Sequence, residues 1–99
     1  MLGQLTHSDF ARYLNQVFVI HYDDVELLET RLTRVKVLGR PYQPGKREPF
    51  SLIFSSSIKD SYLVQGTYPI EHETMGTQEI FITALGPDDR GMNYEAIFA

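Results

Sequence analysis

The sequence predicts an all-β domain of about six antiparallel strands, closed into a small barrel or rolled into a sandwich, with one short N-terminal helix. Three observations carry this reading. The hydrophobic period is 3.6 over the first residues and becomes 2 from Gln16 onward. Clusters of Gly, Pro, Asp and Asn punctuate the chain between short β-rich runs. No second helical pattern is available as a crossover, so neighbouring strands must run antiparallel. A sheet of that size has to bury one face on itself. The 99 residues suit one domain, spanning 1–99. A chain of this mass buries roughly 65% of its unfolded surface, enough for one core.

The elements follow in order. Thr6 is a helix N-cap with Asp9 at capping-box spacing, and Leu5 with Phe10 forms a hydrophobic staple. Phe10, Tyr13, Leu14 and Val17 make a helical stripe, which places the helix end near Asn15 and makes the helix a lid on the core. "QVFVIHY" is a strand, and Asp23-Asp24 is a turn. "VELLETRLTRVKVL" is long for a strand. Leu28, Thr30 and Leu32 share one parity and Val35 and Val37 the other, so a bulge or sharp bend falls between Leu32 and Val35. Such a bend lets one strand serve two sheets. Gly39 to Pro49 is a loop. In "FSLIF", Phe50, Leu52 and Phe54 face inward; in "LVQGTYPIEH", Tyr68, Ile70 and His72 share a face. "TQEIFITAL" is almost continuously apolar and is expected mid-sheet or between two layers. "GPDDRG" is a turn, and "MNYEAIF" closes the chain with Tyr94, Ala96 and Phe98 inward. No internal repeat is visible.

Composition narrows the chemistry. With 42% hydrophobic and 22% charged residues, six Tyr and six Phe, the chain is an ordinary folded protein. It has no cysteine, which removes disulfides, thiol nucleophiles and Cys-ligated zinc. The start "MLGQLTHSDF" carries no signal-peptide pattern, and no stretch approaches a membrane span, so a cytoplasmic or virion-associated location without membrane contact is expected. The net charge is -4, unevenly spread. Arg31, Arg34, Lys36, Arg40, Lys46 and Arg47 fall in a stretch without acids, whereas the 13 acids share the remainder with Arg12, Lys59 and Arg90. Such a chain is suited to steering an acidic partner or to pairing head to tail with its own copies.

Candidate catalytic chemistry is sparse. His72 lies between Glu71 and Glu73, but strand alternation sends both glutamates to the face opposite the ring. His72 is therefore expected as a strand-end histidine bonded to the turn "ETMG", where Gly76 suits a positive φ. His21 with Asp23 and Asp24 reads as a strand end and turn, and Asp88-Asp89 as a turn. Ser55-Ser56-Ser57 lacks a nucleophile elbow, and no P-loop, dinucleotide or zinc-peptidase motif occurs. No catalytic residue, metal ligand or cofactor site is assigned. Phosphates would be repelled by the acidic remainder, so nucleic acid is not the expected partner. The expected interaction face is Arg31, Arg34, Lys36 and Tyr42, on or beside a long strand that projects past its neighbours. The parity switch implies that the three cations on the strand do not all share one face.

In "FSLIF" and "QGTYPIEHETMGTQEIFITALGPDDRGMNYEAIFA" the chain resembles a family of small stand-alone bacterial domains of unknown function. The pieces are Gly66-Thr67-Tyr68, His72, Gly76, Gly86-Pro87, Gly91 and the closing Tyr94 to Phe98; Ser55 to Tyr62 departs from the compact turn expected there. The resemblance implies no catalytic residues and, through relatives associated with phage-tail-like collar proteins, a structural role in a virion or tail-like assembly. Two functions are carried forward: a non-enzymatic structural or interaction domain that binds itself or a protein partner, and a small-ligand or carbohydrate-binding barrel, with a hydrolase as its lesser form. A pocket joining His72 or His21 to two carboxylates would favour the second.

Overall fold

The computed structural model describes residues 5–40 and 45–99. They form one helix, α1 (His7–Ala11), and six strands: β1 (Val17–His21), β2 (Leu27–Val37), β3 (Phe50–Ser56), β4 (Gly66–His72), β5 (Gly76–Pro87) and β6 (Met92–Phe98). The strands close into an antiparallel barrel in the order β1-β2-β3-β6-β5-β4. The choice between barrel and sandwich is thus resolved in favour of the barrel.

Two long, bent strands make closure possible. β2 pairs with β1 through Leu27–Arg31 and with β3 through Arg31–Val37, with its register shifted between Leu32 and Arg34. The expected bulge is there, with Thr33 as the extra residue. β5 does the same, pairing with β4 up to Ile82 and with β6 from Thr83, with a shift between Ala84 and Gly86. A bulge sharpens the local twist, which lets one strand turn a barrel corner.

The barrel has a hidden duplication. Exchanging β1 with β4, β2 with β5 and β3 with β6 leaves every pairing unchanged. The rungs correspond too: Ile20 faces Ile70 across the seam, and Ile20↔Leu28 matches Ile70↔Gln78. The repeat is invisible in the sequence because only the inward pattern has to match.

Each barrel end has its own plug. Strand direction puts the 22–26 and 88–91 turns and the 57–65 loop at one end, here called upper. Residues 5–16, residues 38–40 and 45–49, and the 73–75 turn lie at the lower end. Below, Phe10 is fully buried among Phe18, Phe50 and Phe98, with ring centroids 6.5, 5.9 and 5.5 Å away. Above, Leu63 packs against the core, and its N–H donates to Tyr94 Oη at 3.0 Å. Between the plugs the interior is filled by Leu32, Leu52, Phe54, Ile70, Ile82 and Ala96, all essentially inaccessible.

The capping box is present: Thr6 N–H donates to Asp9 Oδ2 at 2.8 Å, and Leu5 joins Phe10 at the core. The helix is shorter than the stripe predicts. It ends at Ala11, and turns with bonds from Tyr13 N–H to Phe10 O and from Leu14 N–H to Ala11 O carry the chain to Asn15 at φ +70°. Asn15 and Gln16 then bond to the Leu32 backbone. Joining the sheet outcompetes another helical turn, so Leu14 and Val17 stay largely exposed.

Of the two places expected for "TQEIFITAL", the mid-sheet one is observed: β5 pairs with β4 and β6, and Phe81 and Leu85 face solvent. Two further expectations are corrected. β2 does not project as a bare edge, because every residue of Leu27–Val37 except Thr33 has a ladder partner in β1 or β3. Arg31, Arg34 and Lys36 do share one face, since the extra residue at Thr33 absorbs the parity change and returns all three to the exposed side.

Candidate functional site

His72 forms the corner of the β4–β5 hairpin. It is 2% exposed, and Nδ1 accepts from Thr74 N–H at 3.1 Å and Met75 N–H at 3.2 Å. With Nδ1 an acceptor, the ring proton sits on Nε2, which donates to Gln16 Oε1 at 2.7 Å. The ring lies against Tyr13 and Phe18, with centroids 4.4 and 4.7 Å away. Glu71 and Glu73 are exposed whereas the ring is buried.

His72 also closes the barrel. The β1–β4 ladder has only two rungs, Val19↔Glu71 and Ile20↔Ile70. Side chains continue the seam where the backbone stops. His72 bridges to Gln16 at one end, and His21 Nε2 meets Glu71 Oε1 at 2.9 Å beside the ladder. His72→Gln is expected to cost about 1–3 kcal/mol in urea denaturation, since it strips ring contacts and an acceptor from two N–H groups. Metal content should be unchanged; stoichiometric zinc lost with the substitution would overturn this assignment. Among the described residues no group of three or more His, Asp and Glu is placed to hold a metal ion.

Outside the seam lies a cleft of about 490 Å³, lined by Asn15, Gln16, Arg31, Glu71, His72 and Glu73 with Val17 and Val19. It joins His72 to two carboxylates, the arrangement set out above as favouring a ligand site. Both His72 nitrogens are already engaged, so the ring has no free atom for proton transfer. Arg31 Nη1 donates to Asn15 O. The cleft therefore offers one cation beside two carboxylates, without a free imidazole nitrogen.

The upper end differs in kind. A cup of about 200 Å³ is lined by Tyr22, Leu28, Ile58, Tyr62, Leu63 and Tyr94. At the same end of the barrel Val25 and Val64 are 84% and 71% exposed, and Leu27 is more than half exposed. Burial pushes the Tyr94 hydroxyl above its ordinary value of 10.0, against the lowering effect of the Leu63 N–H. The folded protein thus holds this proton more tightly than the unfolded chain. Its contribution to stability is complete below pH 10 and falls as pH rises through 10 toward the raised value. Urea denaturation between pH 9 and 11.5 should show this loss, and Tyr94→Phe should lessen it; an equal alkaline slope in the variant would refute the assignment. Beside the cup, Asp88 Oδ1 accepts from Arg90 N–H at 2.8 Å and Gly91 N–H at 3.2 Å. The Arg90 backbone bond first, then Asn93, holds this exposed carboxyl below its ordinary range.

Of the expected interaction face, Arg31, Arg34 and Lys36 lie exposed on β2, whereas Tyr42 falls outside the described residues. Arg47 has a role that its place in the basic stretch did not suggest. It donates to Leu5 O at 2.8 Å and Ala99 O at 3.0 Å, and lies 5.7 and 5.5 Å from the stacked rings of Phe50 and Phe98. It ties the backbone at Leu5 and at Ala99 to the lower plug. Its partners lie some 40 to 50 positions away in sequence, so no local pattern could reveal it. Gln16 escaped notice for the same reason.

Comparison with known proteins adds a family. The family model described as Domain of unknown function (DUF6916) matches residues 5–98. The chain belongs to this family. No curated protein and no solved structure matches. The family match spans α1, both plugs and all six strands, so the barrel as a whole is the family's unit. No helix among the described residues is long and apolar enough to cross a membrane.

Proposed function

We propose that this domain is a non-enzymatic docking module that binds protein through the upper end of its barrel. The observation that carries the reading is the concentration of exposed apolar side chains there. Val25, Leu27, Ile58, Tyr62 and Val64 are exposed at this end, which also holds a cup lined by Tyr22, Tyr62 and Tyr94, on a barrel whose interior is already filled. A filled barrel offers a ligand little interior space, whereas exposed apolar side chains gathered at one end of a small domain mark a docking site. Aromatic side chains around a pocket that admits one anchor residue are the usual centre of such interfaces. The tail-like structural role implied by the family resemblance is one setting for a module of this kind. The test is binding by the purified protein, to itself or to a co-expressed neighbour, compared with Tyr62→Ser and Val25→Ser. Stoichiometric binding weakened at least tenfold by either change supports the reading. A protein that binds nothing at high micromolar concentration, or binds equally well after both changes, refutes it.

A second reading rests on the seam cleft. Arg31 facing Glu71 and Glu73 suits a small polar ligand with both a negative group and hydrogen-bond donors. Titration with amino acids and simple sugars, followed by NMR shifts of Gln16 and Arg31, tests it. Shifts abolished by Arg31→Ala would favour this cleft over the upper end.

A further inference from the structure

We infer that the partner of the upper end is the lower end of another copy of this chain, in a head-to-tail contact. The inference rests on the docking reading above and supplies the partner's chemistry.

The two ends carry opposite charge. Exposed at the upper end are Asp23, Asp24, Glu26, Asp60, Asp88 and Asp89, against Lys59 and Arg90. Lys59 is engaged with the Asp89 carbonyl at 2.7 Å. At the lower end stand Arg12, Lys36, Arg40, Lys46 and Arg47, against Asp9, Glu48 and Glu73. Two of those acids are occupied locally: Asp9 by the capping box and Glu48 by His7 at 3.3 Å. The sequence already separates the basic stretch from the acids, and the fold turns that separation into a charge gradient along the barrel. Two upper ends repel each other, and so do two lower ends. An upper end and a lower end attract, which steers unlike ends together.

Charge alone would not hold the contact, because exposed ion pairs contribute little. Apolar surface is available on both sides. The upper cup is open, and Leu14, Val37 and Leu38 are exposed at the lower end, Leu38 the most. Leu38 therefore serves as the anchor that enters the cup of the next molecule. A contact between unlike patches does not close on itself as a two-fold dimer does. It leaves a free upper and a free lower end, so the product is a ring or an open chain of subunits.

The chain has no cysteine, so a single introduced cysteine reports one position without further engineering. Val25→Cys and Leu38→Cys are prepared separately and mixed under mild oxidation. The expected result is a disulfide dimer in the mixture and not in either variant alone, and a ladder of multimers from the double variant. Sedimentation of the wild type should show mass rising with concentration. The association constant should fall several-fold between 50 and 500 mM salt as the screening length shrinks, and Asp24→Lys should weaken it similarly. Dimers formed by Val25→Cys alone would overturn the head-to-tail geometry while leaving a docking upper end in place. Mass growth without the mixed cross-link would place the contact elsewhere, for example on the side wall bearing Phe81 and Ile97. A strict monomer in every condition would overturn self-docking, and the docking reading would then be decided by the Tyr62→Ser and Val25→Ser comparison alone.

Discussion

Replacing Gly91 with alanine is expected to leave little folded protein, or to cost it more than about 4 kcal/mol in urea denaturation, a loss that requires a severe local cause. The cause is a backbone contact. A Cβ at Gly91 would sit 1.6 Å from Ser56 O and 2.7 Å from Ser56 C. These atoms belong to the end of β3, where Ser56 pairs with Met92 across the β3–β6 ladder. No side-chain rotation relieves the clash, so the strands must part or the 88–91 turn must rebuild. The residue also has φ +148°, a conformation that L side chains rarely adopt. Gly86→Ala separates the two effects. Gly86 has φ +119° with open space around its would-be Cβ, so alanine there should cost only the backbone strain, about 1–2 kcal/mol. A Gly91→Ala protein within 1 kcal/mol of wild type would show that the turn does not pack on β3 as described.

Phe10→Ala is expected to cost about 3–5 kcal/mol, the range for removing a buried aromatic ring. The ring is fully buried and touches Phe18, Phe50 and Phe98, while Arg47 lies over two of those rings. Loss of the ring would leave a cavity under a five-residue helix that has few other core contacts. Collapse into the cavity is restrained because Leu5 O and Ala99 O are both held by Arg47. Phe10→Leu should recover more than half of the loss by refilling most of the volume. A loss under about 1 kcal/mol for Phe10→Ala would mean that the N-terminal segment is not the lower plug.

The contrast between these two positions shows what could be read in advance. Phe10 was legible: its place in a staple and on a helical stripe marked it as core. Gly91 was legible only as a turn glycine, since its contact is with a residue 35 positions earlier. The same division runs through the candidate site. Alternation alone separated His72 from its flanking glutamates, and "ETMG" placed the ring at a hairpin corner. That the ring also fastens the seam through Gln16 follows from β1 lying beside β4, a pairing between strands that are not consecutive.

The sequence by itself determined the strand order along the chain, the shared faces of β3, β4 and β6, the turns and the bulge near Thr33. These are local consequences of backbone geometry: side chains alternate on a strand, helices repeat every 3.6 residues, and glycine and proline break both. Even the basic stretch and the acidic remainder were visible as segments. Only the tertiary structure decided that the sheet closes on itself, that β1 meets β4 over two rungs, that Arg31, Arg34 and Lys36 share a face, and that the charges gather at opposite ends of one barrel. Those outcomes depend on which distant segments pack together. That choice is set by the summed burial of many side chains and by the twist of two bent strands, and no single window of the sequence contains it.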